Sequence, residues 1–337
     1  MRIAVDAMGG DTGVGLVAAG VAEFLKDGPG DVEIVLVGDA ERVRRALETV
    51  GPLGGLVSVE HASEEIQMEE EAASASRRKR DSSIARGLHL QKDGKASAFV
   101  SAGNTGAVVA TSLLELGRIP GVRRPAIATV VPNEKDGFVL LDIGATKECR
   151  PTDLLQFAHM GSIYAERILG RKKPRVGLLN IGEERTKGND LTRETVPLLE
   201  RSSLRFVGNV EPVGMFQGEV DVAVCDGFTG NLLLKFAEGM FGMILGVVRG
   251  EIGRTWRAKL GAVLLKPTLL HLKDQLSYER YGGAPLLGID GICIICHGRS
   301  SPLAIANAVR TASRFVQYDI SREIGRRLRA HDEVAVE

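Results

Sequence analysis

The stretch VSAGNTGAVVA, Val100 to Ala110, reads as the end of a buried strand, a tight polar turn and the start of a helix. Such a junction aims several backbone N–H groups at one point, where the positive end of the helix dipole favours an anion. Outward from it, short β-branched runs recur with amphipathic spacers between them: RIAVDA, EIVLVGD, SAFVSAG, AIATVV, FVLLDIG, RVGLLNIG, DVAVCDG and GICIICHG. Most are apolar nearly throughout, the pattern of strands covered on both faces. Spacers such as Asp39 to Thr49 and Pro151 to Leu169 supply helical crossovers. The expected fold is therefore α/β, a doubly wound, mostly parallel sheet in a three-layer α/β/α, Rossmann-like arrangement.

Length and charge narrow the function. A chain of 337 residues, 44% hydrophobic and 26% charged, can bury a large core. The organisation expected is a single large α/β domain over 1–337, with 241–280 as a projecting helical segment for dimer or membrane contact. Lysine plus arginine (43) equal aspartate plus glutamate (43), so no global positive field marks a nucleic-acid binder. The start MRIAVDAMGGD lacks the long apolar stretch of a signal peptide, which points to the cytoplasm. The run from Gly239 to Val248 is about half of the roughly 20 residues a membrane span needs, so no spanning helix is expected. Four cysteines in such a chain read as buried, reduced thiols.

The polar loops nearly all follow strands: Met8 to Asp11, Ser101 to Gly106, Asp142 to Thr146, Asn180 to Gly188, Cys225 to Asn231 and His297 to Ser300. Carboxyl ends of neighbouring parallel strands share one edge, and ligands bind there. Two other stretches fit the sheet poorly. Residues 64–80, an acidic block followed by a basic one, look like a mobile surface segment; Leu232 to Lys273 is helical in pattern but interrupted by glycines and Pro267.

Familiar motifs fail on spacing. AMGGDTGVG does not match the dinucleotide fingerprint G-x-G-x-x-G, and GNTGA lacks the lysine and spacing of a P-loop. CIICH, Cys293 to His297, matches a haem-attachment pattern, yet in a strand Cys293 and Cys296 face opposite sides of the sheet. No cofactor or metal is expected. Lys187, among acids, is either a solvated loop charge or an anion clamp. Asn231 is either an N-cap or part of an anion site. Trp256, Leu260, Val263 and Leu264 share one helical face, surrounded by Arg254, Arg257, Lys259, Lys266 and Lys273. That face suits a membrane interface, a dimer or a core contact.

Together IAVDAMGGD, RRKRDSS, SAGNTGA, LLNIGEE with Lys187-Gly188, VCDGFTGN and the late HG resemble the acyl-carrier-protein:phosphate acyltransferases, the PlsX family of bacterial phospholipid synthesis. The resemblance runs in order from Met1 to about Val316. It implies a homodimer related in fold to phosphate acetyltransferases and isopropylmalate-type dehydrogenases. It also implies conversion of a long-chain acyl thioester and inorganic phosphate into acyl phosphate and free acyl carrier protein. That product feeds a membrane acyltransferase acting on glycerol 3-phosphate, and peripheral membrane association is expected. Three positions depart from the usual pattern: Ile295 replaces a lysine, Thr146 an asparagine and Ala72 a proline.

Phosphate is its own nucleophile, so such an enzyme must hold an anion beside a carbonyl and stabilise the oxyanion. Asn104, Thr105 and Gly106 are expected to bind phosphate, with Gly9, Asp11, Ser101, Thr229 and Gly230 around it. Lys187 and Asn231 would stabilise phosphate or oxyanion, and His297 would protonate the leaving thiolate or orient a neighbour. Asp226 and Asp142 would fix donors. Arg77, Arg78, Lys79 and Arg80 form the densest basic run for docking an acidic carrier protein. A short-chain acyl-CoA:phosphate acyltransferase and a non-catalytic membrane scaffold are the alternatives.

Overall fold

The computed structural model describes residues 1–11, 13–28, 30–275 and 282–336, and of 269–275 and 331–336 the backbone only. One 11-stranded sheet runs through the described residues. Its strands are β1 (Arg2–Asp6), β2 (Glu33–Gly38), β3 (Val57–His61), β4 (Ala98–Ser101), β5 (Ala126–Val131), β6 (Phe138–Leu141), β7 (Arg175–Leu179), β8 (Arg205–Val210), β9 (Val222–Val224), β10 (Ala284–Leu287) and β11 (Cys293–Ile295). Their order is β3-β2-β1-β4-β11-β10-β5-β6-β9-β7-β8. Every run read as a strand is one. The half-exposed edge strands β3 and β8 and the short, proline-bearing β10 lack the continuous apolar signal and add to them.

The helices are α1 (Val14–Lys26), α2 (Ala40–Val50), α3 (Ala72–Arg78), α4 (Ser83–Lys92), α5 (Thr105–Glu115), α6 (Pro151–Arg167), α7 (Asp190–Arg201), α8 (Pro212–Phe216), α9 (Gly227–Arg254), α10 (Trp256–Gln275), α11 (Pro302–Gln317) and α12 (Ile320–Val336). Alternate strand residues feed opposite layers: Ile3 and Val5 pack with α1 and α11, whereas Ala4 and Phe99 pack with α4 and α5. Farther along, Val139 and Leu141 meet α6 and α12 while Phe138 and Leu140 face the layer that holds Met215 of α8. This is the three-layer α/β/α class expected. Cys293 and Cys296 do fall in different layers.

Three expectations need correction. First, the loops do not share one edge of the sheet. β10 is antiparallel to β11 and β5, and β5 is antiparallel to β6. The strands β1, β4 and β11 therefore run opposite to β6, β9 and β7, and their carboxyl ends leave opposite edges. Second, residues 64–80 are tied down. Ile66 and Ala75 are buried, and Glu64 bridges to Ser82. Third, neither the glycines nor Pro267 stops a helix: α9 and α10 are continuous, parted only at Thr255. The helix α9 has 28 residues, and an 18-residue window in it averages a mean hydropathy of 1.5, enough by length and composition alone to cross a bilayer. Its apolar extent is thus greater than the run 239–248 suggests. Residues 276–280 of the expected projecting segment, and the side chain of Lys273, lie outside the described residues.

Candidate active site

At the carboxyl end of β1, Asp6 is 1% exposed. Its Oδ1 accepts from the N–H groups of Met8 (3.0 Å) and Gly9 (3.1 Å), and its Oδ2 from Ser101 Oγ (2.7 Å). Ser101 Oγ in turn accepts from Gly103 N (3.0 Å). The turns after β1 and β4 meet through backbone: a β-carbon on Gly9 would lie 2.5 Å from Gly103 N. The loop after β11 joins them, since Asp11 N donates to Gly298 O (2.8 Å) and Arg299 lies 3.6 Å from the Asp11 carboxylate. Gly9, Asp11, Ser101, the Asn104–Gly106 turn and the loop of His297 are thereby brought together.

The Asn104 side chain is engaged within the chain. Its Oδ1 caps α5 at Ala107 N (3.0 Å), and its Nδ2 donates to the carbonyls of Met68 (2.9 Å) and Glu70 (3.1 Å). Thr105 and Gly106 are exposed residues, and as the first two of the helix they carry N–H groups with no partner inside it, the kind of donor that suits an anion. His297 is exposed, and its Nδ1 accepts from Arg299 N (3.1 Å). A neutral imidazole so held carries its proton on Nε2, the form that donates.

A second group lies at the ends of β6 and β9. Asp142 is buried, and its oxygens take four backbone N–H groups: Ile127, Gly144 and Ala145 on Oδ1 and Thr146 on Oδ2 (2.6 Å). Burial pushes its carboxyl above the ordinary value while these amides oppose the shift. Asp226 caps α9, accepting from Phe228 N, Thr229 N and Thr229 Oγ1. Both carboxylates accept from backbone N–H groups. Gly227 N donates to Thr146 O, and Gly230 sits so close to Asp142 O that a β-carbon would lie 2.0 Å away. Asn231 then faces the Asp142 loop: a β-carbon on Gly144 would be 3.6 Å from its Nδ2. Thr146 occupies the position of the common asparagine with its hydroxyl turned to Pro125 O. Ile143 and Ala145 of this loop pack against the layer that contains Ala107 and Val108 of α5, while the loops of the two groups leave opposite edges of the sheet.

Lys187 is exposed in the neighbouring loop after β7. Its backbone carbonyl accepts from Asn180 Nδ2 (3.2 Å), and its side chain lies over Gly182 with no ion pair among the described residues. It is a cation available to a ligand. The cysteines are all free thiols. Burial pushes Cys149, Cys293 and Cys296 up to about 12, so none supplies a thiolate at neutral pH.

The basic run adjoins the first group. Lys79 is turned inward to Glu70 and to Glu65 O, and Arg78 also reaches Glu70, whereas Arg77 and Arg80 remain exposed. The α10 residues Trp256 (70%), Leu260 (54%), Val263 (67%) and Leu264 (74%) stand in solvent, as do Leu232, Phe236 and Met243 of α9.

Asp6 and Gly103 carry no signal as site residues in the sequence reading. The only sign available was an acid closing an otherwise apolar strand ahead of two glycines.

The family model described as "Fatty acid synthesis protein" matches residues 1–323. A phosphate acyltransferase from Pelotomaculum thermopropionicum is 49% identical over 324 residues, covering 96% of this chain and 94% of that protein. One from Myxococcus xanthus is 48% identical over 334 residues, covering 97% and 94%. Among solved structures, a branched-chain phosphotransacylase from Enterococcus faecalis aligns with a TM-score of 0.60 at 13% identity, covering 94% of this chain and 99% of that one. An EutD phosphotransacetylase from Staphylococcus aureus gives 0.59 at 16% identity, covering 94% of each chain. At such identities these structures speak for the fold alone.

Proposed function

The chain belongs to the fatty acid synthesis protein family, with the phosphate acyltransferases among its relatives, and from that premise we propose that it makes long-chain acyl phosphate from acyl carrier protein thioesters and inorganic phosphate. The observation that supports this reading is the start of α5, where the exposed residues Thr105 and Gly106 carry the first N–H groups of the helix beside a turn locked by Asp6 and Ser101. Phosphate bound there needs no protein nucleophile, which suits a site whose thiols are held protonated.

In this mechanism phosphate oxygen attacks the thioester carbonyl. Lys187 and Asn231 offset the negative charge on phosphate and on the tetrahedral oxyanion. Collapse expels the carrier thiolate, which accepts a hydrogen bond from Nε2 of neutral His297, and the proton of hydrogen phosphate ends on the sulfur, leaving acyl phosphate and free thiol. Asp142 and Asp226 hold the loop and helix that aim Asn231. Arg77 and Arg80, with Arg78 partly engaged, receive the acidic carrier protein close to the Asn104 turn.

We read the chain as one α/β domain whose α9–α10 segment is covered in the working enzyme. Two copies pack through it, and the basic, apolar face of α10 rests on an anionic membrane in the cytoplasm, where the product passes to a glycerol 3-phosphate acyltransferase.

The test is acyl-phosphate formation measured by hydroxylamine trapping, with phosphate and either palmitoyl carrier protein or acetyl-CoA. Product is expected from the former, lowered about 100-fold or more by Lys187→Ala and by Asn231→Ala. Wild-type turnover in both variants removes the residue assignment. Product only from acetyl-CoA favours a short-chain transferase, and none from either favours a scaffold.

A further inference from the structure

We propose that Asp6 is a positioning residue for the anion site: its buried carboxylate fixes the turns after β1 and β4 against each other so that the α5 N–H groups and the His297 loop face one phosphate. This deepens the reading above and rests on it.

With the carboxylate ionised, the hydrogen bonds around Asp6 run in one direction. Gly103 N–H can only donate, so Ser101 Oγ must accept it and send its own proton to Asp6 Oδ2. The amides of Met8 and Gly9 fill Oδ1, and Ser83 supplies a further side-chain hydrogen bond. Every group around the carboxylate is a donor. No lysine or arginine forms an ion pair with it among the described residues, so its charge is offset by dipoles alone. A carboxylate buried without a cation is costly, and burial does push its carboxyl above the ordinary value.

Asparagine has the same shape and fails on chemistry. With its oxygen toward Met8 and Gly9, its NH2 faces Ser101 and leaves that hydroxyl proton without an acceptor. Flipped, the NH2 opposes two amide N–H groups. Either way the Ser101–Gly103 link loosens, directly ahead of Asn104 and the start of α5. Asp6 itself does not reach the anion, because the turns it fixes lie between. Its influence is transmitted by the contact of Gly9 with Gly103 and by the Asp11–Gly298 bond.

The experiment compares wild type, Asp6→Asn, Ser101→Ala and the double variant. Asp6→Asn is expected to raise the KM for phosphate about tenfold or more, the effect of one lost charge-assisted hydrogen bond. The KM for the acyl carrier protein should stay within about twofold, and Ser101→Ala should shift phosphate KM in the same direction. Because the two side chains act as one unit, the double variant should be no worse than Asp6→Asn alone. An unchanged phosphate KM in Asp6→Asn overturns the proposal, as does a parallel loss for both substrates accompanied by a lower Tm. If Asp6→Asn does not fold, an unchanged phosphate KM in Ser101→Ala overturns it equally. Calorimetric titration with inorganic phosphate separates this from the wider reading. Binding by wild type that weakens in Asp6→Asn supports the positioning role even if no acyl phosphate forms; equal binding by both removes it. A wild-type chain that binds no phosphate removes both.

Discussion

The loops at the sheet edges and the α9–α10 helices have opposite economies. In the loops, carboxylates are sunk into the protein and surrounded by amide and hydroxyl donors, as at Asp6 and Asp142, and glycine backbones touch. In α9, only Gly227 and Gly230 are buried; beyond the first turns Leu232, Phe236, Met243 and Val247 stand more than half exposed. Leaving such a side chain in water forgoes roughly 1.5–3 kcal/mol. One helix thus starts with its backbone locked to the second group and continues with its apolar face unspent. The polar end finds its hydrogen-bond partners within the chain, and the apolar face beyond it stands in solvent.

The largest expected effect breaks the locked end. In Gly230→Ala the new β-carbon would meet Asp142 O at 2.0 Å, a backbone atom that cannot swing aside. The start of α9 must shift away from the Asp142 loop and take Asn231 with it. We expect a cost of about 3 kcal/mol, a Tm lower by about 5 °C or more, and acyl-phosphate formation near background. Gly239→Ala, in the exposed part of the same helix, meets no atom within 4 Å and should leave both quantities unchanged or slightly improved. Equal behaviour of the two variants, read by thermal melting and turnover, would remove the contrast.

The sequence is legible where a single physical demand acts locally. Strands such as Ile34 to Val37 are covered on both faces, and their apolar runs say so. The reversal between β5 and β6 is not written in those runs, because an apolar strand reads alike in either direction. It was available in the link over residues 132–137, too short for a parallel crossover and long enough only to turn back. Asn104 was legible only in part: a Gly-Asn-Thr-Gly turn announces the start of a helix, while the partners that occupy the Asn side chain lie some thirty residues away. Asp6 was silent because a strand-end acid and an acid with four donors look identical in sequence. Residues 64–80 looked loose by charge, yet the same charges pair with each other, Lys79 and Arg78 with Glu70.

A smaller effect sharpens the apolar side. Val263→Asp with Leu264→Asp places charge on a face already 67% and 74% exposed, so folding should be little affected. Sedimentation with anionic phospholipid vesicles should show binding reduced about tenfold or more, since two buried apolar contacts are lost and two repulsive charges gained. Turnover with soluble acyl carrier protein should remain within about twofold of wild type. Vesicle binding that is unaltered would assign this face to the partner copy instead, which a change in oligomeric state on sedimentation would then reveal.

The smallest effect tests whether the packed side depends on ion pairs as its loops depend on buried carboxylates. Glu323 of α12 bonds Arg326 and Arg327, and Arg327 also reaches Glu166 of α6. Those guanidiniums hold the Glu323 carboxyl at about 2, well below its usual 4.5. A folded-state value below the unfolded one adds stability that is fully present above the unfolded value and is lost as pH falls through the folded one. The advantage of wild type over Glu323→Gln should therefore be constant from neutral pH to about pH 5, shrink between 4.5 and 2, and vanish below that. Arg326 and Arg327 are partly in water, so the melting difference at neutral pH should be only one or two degrees, within the usual range for solvent-screened pairs. A difference that persists undiminished below pH 2 would mean that α12 is held by the shape of the Glu323 side chain. The burial of Ile320, Ile324 and Leu328, each at most 3% exposed, would then account for its docking without help from charge.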